Sequence, residues 1–338
     1  MSNRAGPADP DLLARILRDH YGLEGEIEVL SSEVEHTAAV DLPGGERLIL
    51  KTSSPNQPKG GLRFQAAALT RVERGPGFVA PHVRPTRSGA PTFEQDGVFG
   101  YLQTRLSGPP LADLVMTPEL LSGAGEALAQ LATALGPLVL PDMRRPMLWH
   151  IGCWPSLIEL RSHLPHGPVA DAVDLAMSDY IDRIEQHLPD LAWQVTHNDP
   201  SPFNTFLTDA GVGFIDFGDG GFAPRIQDLA IAAGHFVGDP ARPLGGAEHL
   251  IEGYASVLPL SDLEARLLVG LMKARQSALI LINHWRADLF PAEAAYIKKN
   301  VARAERGLAI LAALEPGEAE AAVRGCARVQ PRIVPAGR

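Results

Sequence analysis

Only two cysteines, Cys153 and Cys326, occur in 338 residues, far apart and in no C-x-x-C spacing. Their scarcity excludes a disulfide framework and a cysteine-based zinc site, and it suits free thiols in a reducing, cytoplasmic compartment. No apolar run approaches the length of a membrane span, because Ala and Gly dilute every candidate, so no membrane partner is expected. Basic residues are in deficit, with 30 Lys and Arg against 40 Asp and Glu and a formal net charge of −10. That balance argues against a nucleic-acid partner, whose phosphates demand basic patches. Met1 to Pro10 is polar without an apolar core, so a secretory leader is not expected there. Internal repeats and low-complexity blocks are also absent. What is present, 45% hydrophobic and 21% charged residues, is ordinary for a globular protein, and the length allows two lobes with separate cores.

The chemistry is concentrated between His197 and Asp219, which read HNDPSPFNTFLTDAGVGFIDFGD. His197, Asp199 and Asn204 form H-x-D-x-x-x-x-N, and Asp216 follows twelve residues after Asn204 inside an apolar strand. Phosphoryl transfer from a nucleotide needs one carboxylate to orient the attacking hydroxyl, and hard oxygens to hold Mg²⁺ on the phosphates. Asp199 fits the first role, and Asn204 and Asp216 fit the second. Leu191 to Thr196 reads as a buried strand, and Pro200 and Pro202 forbid a helix in the loop behind it. Phe203 to Leu207 and Gly213 to Phe217 read as paired strands around a turn at Thr208 to Gly211. Such a hairpin brings Asn204 beside Asp216, leaving room for water and phosphate oxygens, as Mg²⁺ requires.

Beyond the motif the chain divides into two parts. Residues 1–106 read as strand-rich, with helices over Asp9 to His20 (Asp9 as cap, Pro10 at the first position) and Gly61 to Glu73. Strands are expected at Glu26 to Leu30, Glu46 to Lys51 and Val98 to Leu106. Ser107-Gly108-Pro109-Pro110 breaks regular structure like a hinge. Residues 107–338 read as mostly helical. Helices are expected from Thr117, Leu157, Val169, Arg225, Gly246, Ser261 and Pro291, with the pattern lost from Glu315 onward.

The motif and its setting resemble the aminoglycoside phosphotransferase family of kinase-like enzymes, over roughly residues 25 to 310. GFIDFGDGGFAPRIQDLAIA, GYASVLPLSDLE and WRADLFPAEAAYI are similar to its hydroxylysine kinase-like branch. The resemblance implies an α+β, two-lobed protein-kinase-like fold, with residues 1–106 as the nucleotide-binding lobe and 107–338 carrying the catalytic loop. It also implies ATP or GTP as phosphoryl donor, Mg²⁺ as cofactor and a small-molecule hydroxyl as acceptor. Lys51, ending an apolar strand, resembles the strand lysine that meets the nucleotide phosphates, a task suited to an ammonium on a flexible stem. Gln65 falls where the family usually places a glutamate to hold that lysine; an amide can accept a hydrogen bond but adds no countercharge. Ser31 to His36 occupies the place of the phosphate loop without any glycine, leaving Ser32 as a candidate donor to phosphate. Thr104 and Leu106 are the expected backbone contacts of the base. His197 and Asp219 are expected to brace the catalytic loop, Asp219 through backbone N–H groups.

For the acceptor, Arg275 and Arg286 lie eleven residues apart, close to three helical turns, and so share a face. Two guanidiniums there could clamp a carboxylate such as an amino-acid substrate offers, or could pair with local acids such as Asp288 or Glu264. Trp149-His150 resembles a Trp-Asp pair of relatives, with histidine replacing the acid. The combination implies a kinase for an amino alcohol or hydroxy amino acid, hydroxylysine-like. Its alternatives are an aminoglycoside antibiotic phosphotransferase and a nucleotide-binding pseudokinase. A protein kinase is disfavoured by the missing glycine-rich loop and H-R-D and A-P-E segments.

Overall fold

Helix α1 (Pro10–Ile16) starts where Asp9 and Pro10 predict, the Asp9 carboxylate accepting the Asp11 N–H at 3.0 Å. It opens a computed structural model that describes residues 9–30, 35–54, 58–72 and 77–327. Then come β1 (Glu26–Leu30), β2 (His36–Asp41), β3 (Arg47–Thr52), α2 (Gly60–Val72), β4 (Val83–Arg84), β5 (Phe93–Gln95) and β6 (Val98–Thr104). These strands form one antiparallel sheet in the order β1-β2-β3-β6-β4, with β5 also paired to β6. Strand β2 escaped the sequence reading for a physical reason. Between two neighbours it buries Ala38, Ala39 and Val40 in succession, so the alternation that marks a half-buried strand is missing.

Alternation in β3 and β6 separates the sheet's two faces. Leu48, Leu50 and Leu102 face a small apolar cluster with Leu13, Ile16, Leu17 and Val40. Lys51 and Tyr101, partners in register, stand on the opposite face, where the Gln65 side chain of α2 meets both. Helix α2 itself belongs to the other, larger core: Leu62, Phe64 and Leu69 join the apolar cluster built mainly by the later helices.

After β6 the chain is mostly helical: α3 (Pro118–Leu135), α4 (Pro168–Asp179), α5 (Ile226–His235), α6 (Glu248–Val257), α7 (Asp262–Leu289), α8 (Ala294–Ile297), α9 (Val301–Ala312) and α10 (Pro316–Ala327). Thr117 caps α3 through its hydroxyl, and Ser261 with Glu264 forms a capping box on α7. Two expectations change. The segment from Leu157 is part of a 3₁₀ stretch, Ile151–His163, in which Pro155 removes one backbone donor. The patternless stretch from Glu315 is helix α10, which buries Ala319, Val323 and Cys326 at helical spacing; small side chains made the stripe faint. Among the described residues no helix is long and apolar enough to cross a membrane.

Two short ladders lie between these parts: β7 (Trp193–Thr196) with β10 (Gly221–Pro224), and β8 (Thr205–Thr208) with β9 (Gly211–Phe214). The hinge residues are sewn to the second ladder. Leu207 N–H donates to Pro109 O, and Val79 exchanges hydrogen bonds with Val212 and Phe214 on the other edge. Gly108 takes φ +106°, and a Cβ there would stand 2.1 Å from Leu207 O, so this crossing admits only glycine.

Candidate active site

The β8–β9 hairpin has the register Thr205↔Phe214, and the Ile215 N–H donates to Asn204 O at 2.9 Å. Asn204 and Asp216 thus flank the end of one ladder, as the spacing predicts. Asn204 Nδ2 donates to Asp199 Oδ2 at 2.6 Å and to Asp199 O at 3.1 Å, joining the third member of the motif to the other two. The strand expected through Phe217 ends at Phe214, and Asp216 stands just beyond it with a left-handed backbone at φ +60°. Burial pushes the Asp199 carboxyl up to about 6, helped by Asp216 and opposed by Arg275 and Arg303. Asp216 is held below the ordinary carboxylate range, chiefly by the Lys51 ammonium 2.9 Å away.

The loop carrying Asp199 is anchored from beneath. Asp228 of α5, fully buried, accepts the N–H groups of His197 (2.9 Å) and Asn198 (2.7 Å). Those bonds secure a reversal at Asn198, whose φ is +64°. His197 Nε2 bonds Ile215 O at 3.0 Å, so this nitrogen carries the proton and Nδ1 accepts the Asp199 N–H at 3.3 Å. Burial among Phe214 and Phe217 drives the imidazole down to about 4, leaving it neutral and unsuited to proton transfer. It ties the Asp199 loop to the strand before Asp216.

Lys51 is buried at the convergence of three groups: it donates to Asp216, to Gln65 Oε1 at 3.1 Å and to Glu35. Gln65 Nε2 in turn donates to Glu35 Oε2 at 2.9 Å, and Tyr101 Oη donates to Gln65 Oε1 at 2.9 Å. Burial alone would depress the ammonium, but Asp216 and Glu35 outweigh it and keep Lys51 firmly charged. The countercharge missing at Gln65 is therefore supplied by Glu35. Ser32 lies outside the described residues. Thr104 spends its N–H on His82 O and its hydroxyl on the His82 N–H, so a backbone contact with the base would fall to its carbonyl. Leu106 reaches Gly213 of β9, where an added Cβ would stand 2.8 Å from Leu106 Cδ1.

Asp219 also departs from its expected part. It lies among charges, raised to about 7 by burial and by Asp199 and Asp216, and partly offset by Arg275 and Arg145. The loop is braced instead by Arg145, which donates to Gly218 O and stacks over Phe64 at 4.7 Å. Arg275 is 8% exposed, its guanidinium carbon 4.6 Å from the Trp149 ring centre, and Asp199 and Asp219 are the acids acting on it. Arg286 lies three turns on along α7, and the cations that bear most on Asp199 are Arg275 and Arg303 of α9. His150 caps the 3₁₀ stretch by accepting the Gly152 N–H, and its Nε2 bonds Phe222 O. In that position the histidine serves the backbone.

Among the described residues, no three His, Cys, Asp or Glu converge into a ready-made metal cage. The oxygens present suit a hard cation that keeps water and phosphate ligands. Asn204 spends its amide nitrogen on Asp199, leaving Oδ1, and Asp216 has a second carboxylate oxygen beyond the one Lys51 holds. Glu35, Tyr101, Arg145, Asp228 and Arg303 were not singled out from sequence. Asp228 left a trace there, as an acid in the largely apolar run Ile226 to Ala233.

The sequence model described as Phosphotransferase enzyme family matches residues 26–260. Among curated proteins, hydroxylysine kinase of Mus musculus is 23% identical over 218 residues, covering 60% of this chain and 58% of that protein. The chain spans roughly three fifths of the length of the curated relatives it matches. Among solved structures, an amicoumacin kinase bound to AMP-PNP and Ca²⁺ superposes with TM-score 0.66 at 14% identity, over 87% of this chain and 93% of that one. An aminoglycoside phosphotransferase from Alicyclobacillus acidocaldarius gives 0.63 at 17% identity, over 92% and 96%. These likenesses show the α+β, kinase-like phosphotransferase fold.

Proposed function

Because this chain belongs to the phosphotransferase enzyme family, we propose that it moves the terminal phosphoryl group of ATP or GTP onto a hydroxyl of a small amino alcohol or hydroxy amino acid. The observation carrying this reading is the convergence of Asp199, Asn204, Asp216 and Lys51, linked at 2.6 Å (Asn204 to Asp199), 2.9 Å (Ile215 N–H to Asn204 O) and 2.9 Å (Lys51 to Asp216). The acceptor class is supported by the relatives named hydroxylysine kinase.

In this mechanism the acceptor oxygen forms a bond to the γ-phosphorus as the bond to the β,γ-bridging oxygen breaks, and nucleoside diphosphate leaves. Asp199 orients the hydroxyl and takes its proton, a task matched to a carboxyl lifted towards neutrality. Lys51 meets the phosphates, and Glu35 and Gln65 keep its ammonium in place. Asn204 and Asp216 would hold the divalent cation, Mg²⁺ in our reading. That ion, when bound, neutralises the phosphate oxygens. Since the transition state is held by position and charge, His197 and Asp228 act by keeping Asp199 in line.

The test is turnover of hydroxy amino acids, amino alcohols, sugars and aminoglycosides with ATP and with GTP. Asp199→Asn should lower kcat about 10²- to 10⁴-fold with nucleotide affinity little changed. Asp216→Asn should remove the cation-dependent part of nucleotide binding in calorimetry. Full activity of Asp199→Asn would overturn the mechanism. Cation-dependent nucleotide binding with no acceptor turned over would favour the pseudokinase.

A further inference from the structure

Arg275 is a buried cation with unspent donors. Its Nε and Nη1 are enclosed, yet neither finds a hydrogen-bond acceptor among the described residues. Leaving such N–H groups of a charged side chain unmet costs free energy. The side chain is not loose. Its guanidinium stacks on Trp149, which fixes the plane of the fork. Ion pairing does not use it up either, since Asp199 and Asp219 act on it through space without accepting its Nε or Nη1 protons.

A second guanidinium is held close by. Arg303, from α9, lies against the Phe203 ring at 5.6 Å, and Phe203 immediately precedes Asn204 in the catalytic loop. Arg303 feels Arg275 as a repelling charge and Asp199 as an attracting one. His235 of α5 feels both arginines, is kept neutral by burial, and has an Nδ1 with no partner among the described residues. The two guanidiniums, from separate helices, repel each other through space, and an anion bound by both would relieve that repulsion.

We propose that Arg275 and Arg303 form an anion subsite that seats a carboxylate of the acceptor, making the substrate a hydroxy acid, hydroxy amino acids included, in preference to a bare amino alcohol or an aminoglycoside. This deepens the function proposed above and rests on it. A carboxylate offers two acceptors to the planar fork of Arg275, a charge-assisted geometry that an amide or a hydroxyl cannot match. Asp199 and Asp219 would supply the countercharge for an acceptor's ammonium, so the carboxylate sets which end of a zwitterion faces the helices.

The experiment uses matched acceptors, a hydroxy amino acid, its carboxamide and the corresponding decarboxylated amino alcohol, with the full chain, nucleotide and Mg²⁺. The unaltered protein should favour the carboxylate by roughly 30- to 100-fold in kcat/KM. In Arg275→Met that ratio should collapse towards one, chiefly through KM. Arg275→Lys should restore part of it, and Arg303→Met should lower it by a smaller factor. Equal use of all three acceptors by the unaltered protein, or an unchanged ratio in Arg275→Met, overturns the subsite and leaves the kinase function standing. Should Arg275→Met not fold, the unaltered protein and Arg303→Met decide the matter. Should no acceptor turn over, the broader function fails and the subsite is judged by calorimetry. Binding of the hydroxy amino acid over its carboxamide, weakened in Arg303→Met, supports it, and equal binding overturns it.

Discussion

Lys51 shows how a single position can depart from a pattern while its electrostatics are preserved. Gln65 accepts from Lys51 and from Tyr101 but brings no charge, and Glu35, sixteen residues before Lys51, supplies it while its other oxygen takes the Gln65 amide. Glu35 and Gln65 are joined side by side on the ammonium, so we expect either position to serve as the acid opposite Asp216. Glu35→Gln, with no acid left on that side, should raise KM for nucleotide about tenfold, with kcat less affected. The swapped pair, Glu35→Gln with Gln65→Glu, should recover most of it. Steady-state kinetics on the two variants checks this, and a swap no better than Glu35→Gln alone removes Glu35 from the role.

At the scale of elements, the helical part depends on how closely α3 and α6 approach. A Cβ at Gly253 would stand 2.0 Å from Ser122 O, and one at Gly125 would stand 2.0 Å from Leu250 O, so the two backbones meet at glycines from both sides. Gly253→Ala must push the helices apart and should cost about 1–3 kcal/mol or more in urea denaturation. Gly123, in the same helix α3, has nothing within 4 Å of its added Cβ. Gly123→Ala should therefore stabilise by about 0.5–1 kcal/mol through helix propensity. Equal effects of opposite-facing glycines would contradict the crossing. Helix α5 touches the site by the same logic, because Asp228 in its first turn accepts the two N–H groups that hold the catalytic loop.

For the whole molecule, buried ionisable groups in the site tie stability to pH. His197, at about 4 in the folded chain against an ordinary 6.5, binds its proton more readily when unfolded. Its contribution is therefore complete above about pH 6.5 and is lost as pH falls towards 4, amounting to about 2 kcal/mol between pH 7 and 5. Asp199, Asp219 and Asp228, all raised by burial, act with the opposite sign, their protonated forms favouring the fold as pH falls. The His197 part emerges from comparison with His197→Asn, in which the carboxylate contributions cancel. From pH 7 to 5 the unaltered chain should lose about 2 kcal/mol relative to that variant, measured by urea denaturation. Parallel pH dependences would mean that the imidazole is not buried as a neutral ring.

Local features were legible in the chain from the start. The Asp9, Thr117 and Ser261 caps, the strand bearing Lys51 and the hairpin that carries Asn204 to Asp216 depend on residues within about a dozen positions. Over so short a span, turn chemistry and periodicity decide which groups meet. Tertiary structure alone decided that Glu35 charges the Lys51 network, that Asp228 grips the catalytic loop, that Arg145 rather than Asp219 braces Gly218, and that Arg303 joins Arg275 in bearing on Asp199. The last three of these contacts close longer loops, and their side chains meet because whole helices and the sheet pack in one arrangement. Packing is set by the summed burial of many apolar groups, so no short stretch of sequence announces which distant charges it will bring together.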